Sequence, residues 1–501
     1  MKPAPLIAPS AEIELKLALP ASDPQDLAKQ LARVPALARR KATREQLHNV
    51  YYDTPDQVLR RQGVALRVRR TGTPAKPQWL QTLKMGNSGD SALSQRGEWE
   101  VPLPEATLSR KALKMTPWSG IDPDGTVFKA LSPCFATRFD RTLWRVRRRD
   151  GSVIEVALDV GEVVAGDKRA PLCELELELR AGSPAALFDL ARQIAGTVAV
   201  LPSSMSKAQR GYALAQDTLG APLSAQPPFL GLDMPAIQVA QRVLREMFNH
   251  FTANLALLRS SDDPEIVHQA RVGWRRFRSA LRLCRPVLAA EATPSWQALR
   301  PLLTFLGELR DLDVARTQTL APWAEAYTAG DSRRAQTWDA MTQALTQAAS
   351  QQRKSVRYAL QDPAVGLTLL TMTEWLEGLP AATDPVAVRA KPKAALRQWA
   401  RRRIDQLHAR LKEACTNDGT PENQHRVRIL AKRIRYGIEA LQPLLTKHQS
   451  QRWYKQATNL QTSIGATRDV VQACALIAGL DADRGLIEFL RGVAAGRQGQ
   501  P

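Results

Sequence analysis

Charged and aliphatic residues alternate in two short segments of the chain, residues 12–17 and 174–179. Because successive side chains of a β-strand point to opposite faces of the sheet, this spacing predicts two strands. In each strand the acidic residues share one face, where they repel each other unless cations lie beside them. Carboxylate oxygens gathered in this way suit Mg²⁺ or Mn²⁺, and such ions suit a phosphate-rich ligand.

The first part of the chain, up to about residue 215, contains further segments of the same kind. Asp150-Gly151 between two of them is a strong signal for a tight hairpin turn. Residues 23–34 and 184–194 have the pattern of helices. This part is therefore predicted to be α+β with an antiparallel sheet. Besides residues 12–17, the predicted strands are residues 63–70, 78–85, 97–103, 142–148, 153–160 and 173–180, the last of which contains the segment 174–179.

The pattern changes after a stretch rich in Pro, Gly and Ala, residues 219–235. Beyond it the apolar residues recur with the period of an α-helix in almost every window. A second break falls around residues 378–392. The sequence therefore predicts a linker followed by an all-helical region.

The helical region contains an internal repeat. His268-Gln269-Ala270-Arg271 followed by Arg275-Arg276-Phe277-Arg278 recurs as His425-Arg426-Val427-Arg428 followed by Lys432-Arg433-Ile434-Arg435. Residues 306–311 recur as residues 464–469, in the same order and at nearly the same offset. The helical region is thus predicted to be a duplicated bundle.

The composition is strongly basic, with 70 Lys+Arg against 49 Asp+Glu and a net charge of +21. This excess indicates an anionic partner such as nucleic acid, acidic lipid or polyphosphate. The 5 cysteines are scattered without metal-site spacing, which argues against a disulfide framework and a zinc site. Because no apolar run of about 18 residues occurs, we expect a cytoplasmic protein that does not enter a membrane.

If the strands of the first part close into a barrel, their charged faces line its lumen. Acids and bases would then face each other in comparable number, as suits a metal–phosphate substrate. The residues expected to face inward are Glu12, Glu14, Lys16, Arg67, Arg69, Lys84, Arg96, Glu98, Glu100, Arg141, Asp159, Glu174, Glu176 and Glu178.

An ordered series of motifs over residues 6–215 resembles the CYTH superfamily, the triphosphate tunnel metalloenzymes. The motifs are Glu12-x-Glu14-x-Lys16, Tyr51-Tyr52-Asp53-Thr54, Leu66-Arg67-Val68-Arg69, Leu83-Lys84, Arg96-x-Glu98-x-Glu100, Phe139-x-Arg141-x-x-Trp144, Ala157-Leu158-Asp159-Val160-Gly161, Glu174-Leu175-Glu176-Leu177-Glu178, and Ser206-Lys207 with Arg210-Gly211-Tyr212. The resemblance implies an eight-stranded antiparallel barrel with covering helices, whose tunnel binds a triphosphate.

The resemblance also implies roles for the inward-facing residues. The metal ligands would be Glu12, Glu14, Asp159, Glu174 and Glu176, which together with Lys16 form the catalytic set. The substrate would be bound by Lys16, Arg67, Arg69, Lys84, Arg96, Glu98, Arg141 and Lys207. Two assignments stay open. Glu178 is either a ligand or a residue of the tunnel mouth, and Glu98 competes with Glu100 for one role.

On a helix, residues spaced alternately by three and four lie on one face. The first copy of the repeat places His268, Arg271, Arg275 and Arg278 on such a face. The second copy places His425, Arg428, Lys432 and Arg435 there. A solvated basic face explains one copy, but it does not explain why the order is duplicated.

This duplicated pattern resembles the CHAD domain, over residues 236–495, with a linker at residues 216–235. The resemblance implies an all-α domain of two pseudo-symmetric four-helix bundles, with repeats at about residues 236–378 and 393–495. It also implies that the eight basic residues of the two copies bind inorganic polyphosphate through salt-sensitive contacts.

Together the two resemblances imply divalent-metal-dependent hydrolysis of inorganic triphosphate, with a helical module that binds inorganic polyphosphate. One alternative is an adenylate cyclase, or a thiamine or nucleoside triphosphatase, because fold alone does not set the substrate. Another is a non-enzymatic scaffold that binds polyphosphate. Nucleic acid is disfavoured because aromatic residues are not interleaved with the basic helices.

Overall fold

The structure, a computed structural model, describes residues 10–19, 24–73, 75–86, 91–288, 293–379, 392–416 and 420–498. The chain folds into two compact units. The first unit comprises Met1–Ala221 and Gln361–Glu377. The second comprises Pro222–Leu360 and Gly378–Pro501.

The first unit is built on a closed antiparallel barrel. Eight strands follow one another in the order β5-β4-β3-β2-β6-β7-β8-β1, and β1 pairs back onto β5. The short strand β9 adds to β1. The strands are β1 (Ser10–Ala18), β2 (Thr43–Asp53), β3 (Val64–Thr73), β4 (Lys76–Met85), β5 (Leu93–Leu103), β6 (Ser132–Arg147), β7 (Val153–Ala165), β8 (Lys168–Ala181) and β9 (Leu201–Pro202).

The predicted fold class is confirmed, although several strands differ from the predicted segments. β2 was not predicted as a strand, and β6 begins ten residues before the expected segment 142–148. The first four residues of β2 are exposed on both faces, so the alternation that marks a half-buried strand is absent there.

Helices cover the barrel and make up the second unit, where an all-helical region was predicted and is confirmed. Those that precede the linker are α1 (Pro24–Ala32), α2 (Val58–Arg61), α3 (Arg110–Leu113), α4 (Thr126–Lys129), α5 (Ala185–Ala195) and α6 (Lys207–Ala215). Those that follow it are α7 (Ala236–Leu257), α8 (Pro264–Cys284), α9 (Arg300–Val314), α10 (Ala324–Thr328), α11 (Ser332–Ala359), α12 (Pro363–Gly378), α13 (Pro392–Thr416), α14 (Pro421–Leu441), α15 (Lys447–Ala478) and α16 (Arg484–Gln498).

The aliphatic faces of the barrel strands form the main core of the first unit. Leu15 of β1 and Leu177 of β8 are fully buried in one cluster with Leu27 of α1 and Leu187 of α5. Burying such side chains stabilises the fold by about 1.5–3 kcal/mol each. Because side chains alternate along a strand, this packing leaves the charged residues between them to face the lumen.

Helix α12 packs with the first unit, although the sequence placed it in the first helical repeat. Leu370 is buried in the core cluster of the barrel, and Leu367 packs against that cluster. Gly366 lies so close to the backbone that an added Cβ would stand 2.6 Å from the carbonyl oxygen of Val200. Glu374 forms an ion pair with Arg192 of α5. The barrel core is therefore completed by a segment that follows the linker.

The internal repeat is visible in the helices of the second unit. Helices α8 and α14 begin and end at equivalent positions of the repeat, and both have a proline at the first turn. Residues 216–235 between the units contain neither helix nor strand. All five cysteines are free thiols. Among the described residues, no helix is both long and apolar enough to span a membrane.

Candidate active site and anion-binding groove

A cavity of about 120 Å³ inside the barrel is lined mainly by charged side chains. Asp159 and Glu174 do not line the cavity. They are buried and contact Lys207, which does line it. The predicted site residues that line the cavity are Glu12, Glu14, Lys16, Arg67, Arg69, Lys84, Arg96, Glu98, Arg141, Glu176 and Lys207.

The strand register positions one group of acids and bases across β1, β4 and β5. Lys84 lies directly opposite Glu98, and Lys84 Nζ is 3.1 Å from Glu98 Oε1. The same Nζ donates to both carboxylate oxygens of Glu12, at 2.6 and 2.7 Å. Glu12, Glu98 and Glu178 can each offer an oxygen within 4.8 Å of the other two. They form the first carboxylate group.

Glu178, which the sequence left open, therefore lies in this first carboxylate group. Burial raises the pKa of Glu178 to about 7; Arg180 opposes this shift and Glu12 reinforces it. Arg180 Nη1 is 2.6 Å from Glu178 Oε1. Arg180 lines the cavity but was missed in the sequence, although it follows Glu178 by two residues and thus shares its face.

A second carboxylate group consists of Asp159, Glu174 and Glu176, whose oxygens also lie within 4.8 Å of one another. Asp159 is directly opposite Glu174 on β8 and directly opposite Arg141 on β6. Arg141 binds Asp159 through a two-pronged contact, with Nε to Oδ1 and Nη2 to Oδ2 both at 2.7 Å. Such paired hydrogen bonds fix geometry as well as charge.

Lys207 of α6 reaches the second carboxylate group. Its Nζ is 2.7 Å from Asp159 and 2.9 Å from Glu176, and it also contacts Glu174. Burial disfavours the charged form of Glu176, but Lys207, Lys16 and Arg141 outweigh it and hold its pKa well below the ordinary value. Burial raises the pKa of Glu174 despite Lys207.

Glu14 belongs to neither carboxylate group among the described residues. It forms ion pairs with Lys16 and Arg96 and accepts a hydrogen bond from Ser94 Oγ at 3.0 Å. Burial alone would raise its pKa, but Lys16 and the cations around it hold the pKa well below its usual range. In this structure Glu14 is therefore a carboxylate that neutralises cations.

Arg67 and Arg69 of β3 and Arg96 of β5 are crowded or incompletely hydrogen-bonded. Burial, together with the neighbouring Arg67 and Arg141, lowers the pKa of Arg69 to about 10. The Nε atoms of Arg67 and Arg96 are buried without a hydrogen-bond partner among the described residues. Unused guanidinium donors in a cavity suit a ligand with many oxygen acceptors.

Two motif residues have structural roles instead. Asp53 is fully buried and accepts hydrogen bonds from the backbone N–H groups of Leu59 and Arg60, at 2.9 and 3.0 Å. Tyr212 donates its hydroxyl to Asp53 at 2.7 Å. These contacts tie α2 and α6 to the end of β2.

The second unit contains a larger cavity of about 970 Å³, which we call the basic groove. Arg278 and His425 are not among the residues that line it; Arg278 lines a separate cavity of about 260 Å³ with Arg282 and Trp296. Arg310 lines the groove although it was not predicted to bind an anion; it belongs to the second repeated motif, residues 306–311, whose Arg310-Asp311 pair was interpreted as a structural contact. The predicted residues that line the groove are His268, Arg271, Arg275, Arg428, Lys432 and Arg435.

The charges of the basic groove are crowded. Burial and the neighbouring Arg275 lower the pKa of Arg271. Burial, followed by Arg310, lowers the pKa of His268 to about 4. The Nε atoms of Arg275 and Arg428 are buried and, within the described part of the chain, have no hydrogen-bond partner. Such a groove is suited to an anion.

The family models match both parts of the chain. The CYTH domain matches residues 10–212, and the CHAD domain matches residues 242–478. The chain therefore carries a CYTH domain followed by a CHAD domain, as the motifs indicated.

The chain is also similar to known proteins and solved structures. The chain is 35% identical over 205 residues to an inorganic triphosphatase of Haemophilus influenzae. This match covers 40% of the chain and 54% of that enzyme. The chain thus spans about half the length of this relative. A CHAD domain structure from the plant Ricinus communis is 26% identical, with a TM-score of 0.45, and covers 56% of the chain and 91% of that structure. A Hippeastrum protein described as an adenylyl cyclase with a dominant triphosphatase activity is 20% identical, with a TM-score of 0.31, and covers 41% of the chain and 95% of that structure.

Proposed function

We propose that this protein hydrolyses inorganic triphosphate to diphosphate and phosphate, with Mg²⁺ or Mn²⁺ as cofactor. The observation that carries the proposal is the barrel cavity, which is lined by Arg and Lys side chains together with the whole first carboxylate group and Glu176 of the second, while Asp159 and Glu174 are buried in contact with Lys207. An inorganic triphosphatase is also among the relatives of this chain.

The two carboxylate groups fit a divalent cation. Each offers three oxygens within 4.8 Å of one another, and Mg²⁺ and Mn²⁺ prefer such ligands. Glu12, Asp159, Glu174 and Glu176 lie in these groups as proposed ligands, and the geometry adds Glu98 and Glu178 to them. When bound, the metal neutralises phosphate charge and lowers the pKa of a bound water.

The cations of the cavity would hold the triphosphate. Lys84 and Lys207 are now paired with the acids that would bind metal. The acids would hold the metal of a metal–triphosphate complex, and the two lysines, released from these acids, would bind phosphate oxygens. This exchange leaves no buried charge without a partner, which would otherwise cost several kcal/mol. Arg67, Arg69 and Arg141 supply fixed guanidinium donors for the same oxygens.

The role of the second unit is proposed from the basic groove. A polyphosphate chain offers many negative oxygens, and the groove offers basic side chains from both copies of the repeat. Arg310 adds a cation that neither copy of the basic motif contains. The groove would therefore bind inorganic polyphosphate, with an affinity that falls steeply as salt rises.

A substrate panel tests the enzymatic proposal. Purified protein is incubated with tripolyphosphate, ATP or thiamine triphosphate, with each metal, and both orthophosphate and cyclic AMP are measured. We expect the fastest turnover with tripolyphosphate and no cyclic AMP. Faster turnover of ATP, or formation of cyclic AMP, would contradict the proposed substrate.

A competition experiment tests the binding proposal. The full chain is titrated with long-chain polyphosphate and with DNA at matched salt. We expect the protein to retain polyphosphate more strongly. Stronger retention of DNA would contradict a groove built for polyphosphate.

A further inference from the structure

The repeat gives each residue of α8 a counterpart in α14, because the two helices share their bounds. Arg276 and Arg433 are counterparts, at the offset that relates His268 to His425. The preceding helices α7 and α13 keep the same offset. Val243 and Met247 are buried in α7, and their counterparts Ala400 and Ile404 are buried in α13.

Arg276 is a buried cation with two acidic partners. The residue is 1% exposed, and its side chain lies 3.3 Å from Glu246 of α7 and 3.4 Å from Glu439 of α14. Its Nη1 is also within 3.3 Å of His250 Nδ1. A buried guanidinium is tolerated because these partners neutralise it.

Both acids are replaced by arginine at the equivalent positions around Arg433. The counterpart of Glu439 is Arg282 of α8, and the counterpart of Glu246 is Arg403 of α13. Arg403 is anchored to the end of α8, since its Nε donates to the carbonyl oxygen of Leu283 at 3.1 Å. The cluster of two acids and one arginine in one half of the unit therefore corresponds to a cluster of three arginines, Arg403, Arg282 and Arg433, in the other half.

The arginines around this position have no acidic partner in the described part of the chain. No ion pair joins Arg278, Arg282 or Arg433 to a described carboxylate, and Arg433 Nε is buried without a hydrogen-bond partner there. Burial, followed by Arg433 and Arg278, lowers the pKa of Arg282. Burial, followed by Arg410 and Arg278, lowers the pKa of Arg433. Crowded like charges of this kind are stabilised by an external anion.

We propose that Arg278, Arg282 and Arg433 form a second anion site, separate from the basic groove, that binds phosphate groups of a polyphosphate chain. This inference rests on the proposed binding of polyphosphate by the groove. Arg275 lines the groove, and Arg278 follows it by one turn on α8. A chain that fills the groove and continues along α8 meets the second site, where guanidinium groups can bind phosphate with two hydrogen bonds each.

The variant Arg282→Glu tests this site in the full chain, because it gives Arg433 the carboxylate that Glu439 gives Arg276. We expect its affinity for long-chain polyphosphate to fall about tenfold, with a shallower dependence on salt. Tripolyphosphate hydrolysis should stay unchanged, and the anion-free protein should melt no lower than wild type. Arg282→Lys keeps the charge and should retain most of the affinity.

Three results would overturn the inference. Arg282→Glu could bind long-chain polyphosphate with the affinity and salt dependence of wild type. Arg282→Lys could lose as much affinity as Arg282→Glu, which would indicate a structural effect. Orthophosphate, at equal phosphate concentration, could raise the melting temperature of wild type as much as long-chain polyphosphate does. That result would indicate a site for single phosphate ions.

The groove variant Arg275→Glu separates this inference from the proposal on which it rests. If Arg275→Glu weakens binding and Arg282→Glu does not, only the second site is wrong. If wild type binds no polyphosphate at all, the groove proposal fails as well.

Discussion

Lys84 directs its ammonium nitrogen at both carboxylate oxygens of Glu12, at 2.6 and 2.7 Å. Burial opposes the charged form of Lys84, but Glu12 and Glu98 outweigh it and raise its pKa. The two side chains come from β1 and β4, which are not adjacent in the barrel. A proposed metal ligand and a proposed phosphate-binding cation therefore neutralise each other across the lumen.

Replacing Glu12 should abolish hydrolysis while leaving the fold intact. In Glu12→Gln the amide keeps the size of the side chain but loses the charge that would hold the metal. We expect the rate of phosphate release from tripolyphosphate to fall at least about a hundredfold. Steady-state kinetics with saturating metal measure this loss.

The matched control is Glu162→Gln on β7. Glu162 also forms an ion pair, at 3.1 Å from Arg169, but it lies outside the cavity. This variant should keep wild-type activity. Equal losses in both variants would show that any carboxylate lost from the barrel reduces activity, and that Glu12 has no special role.

Arg141 should be intolerant of replacement by lysine. Its guanidinium holds Asp159 through two hydrogen bonds at 2.7 Å and reaches Glu176 at 2.9 Å. A single ammonium group cannot reproduce this fork. We expect Arg141→Lys to lower kcat about 10–100-fold. Arg145→Lys, an exposed position on the same strand, should leave kcat unchanged; an equal effect at both positions would contradict the role of Arg141.

The composition of the tunnel could be predicted from the sequence because alternation assigns a face to each charge. Glu12 and Lys16 on β1, and Glu176 on β8, line the cavity as predicted. The grouping of the acids could not be predicted, since it depends on register between strands. Register places Glu174 opposite Asp159, whereas the side chain of Glu14 turns to Lys16 and Arg96.

Helix α12 should be required for the stability of the barrel unit. In Gly366→Ala the new methyl group would stand 2.6 Å from the carbonyl oxygen of Val200, so the helix must shift away from the core. We expect the free energy of unfolding to fall by about 1–3 kcal/mol. The measurement is the temperature at which tripolyphosphate hydrolysis is irreversibly lost, together with the thermal unfolding curve.

Gly378→Ala provides the control at the end of the same helix. Nothing lies within 4 Å of a Cβ added there, so stability should change by no more than about 0.5 kcal/mol. If Gly366→Ala is equally harmless, the close approach of α12 to the barrel does not exist in solution.

The placement of α12 illustrates what periodicity cannot reveal. Its sequence predicts a helix, but no local signal indicates that Leu370 packs with strands much earlier in the chain. Arg276 is a similar case. It stands in a run of basic residues that predicts a solvated face, and only distant acids, Glu246 and Glu439, allow it to be buried.

Polyphosphate binding should strengthen as the pH falls. Burial and Arg310, with further contributions from Arg275 and Arg271, lower the pKa of His268 to about 4, while Glu265 opposes the shift. The ring is therefore neutral at neutral pH, and a bound polyanion should raise its pKa. The complex then binds more protons than the free protein. Between about pH 4 and the raised pKa of His268 in the complex, affinity should therefore rise by up to about tenfold for each pH unit of acidification.

Binding titrations at several pH values test this coupling. The variant His268→Gln should show a flatter pH dependence, whereas the exposed His448→Gln should behave as wild type. For the stability of the free protein, the lowered pKa of His268 has the opposite consequence: acidification is unfavourable. The unfolded chain binds the proton more readily, so His268 lowers the free energy of unfolding as the pH falls from about 6.5 towards 4. Affinity that is independent of pH in wild type would contradict proton uptake by His268.

The most direct measurement is the product distribution from tripolyphosphate, followed by ³¹P NMR with purified full-length chain, in chelator and after addition of Mg²⁺ or Mn²⁺. The predicted result is no change in chelator and, with metal, one diphosphate and one orthophosphate for each tripolyphosphate consumed. Tripolyphosphate that stays intact with both metals, at neutral and alkaline pH, would contradict the assignment of the barrel as a triphosphate-hydrolysing site.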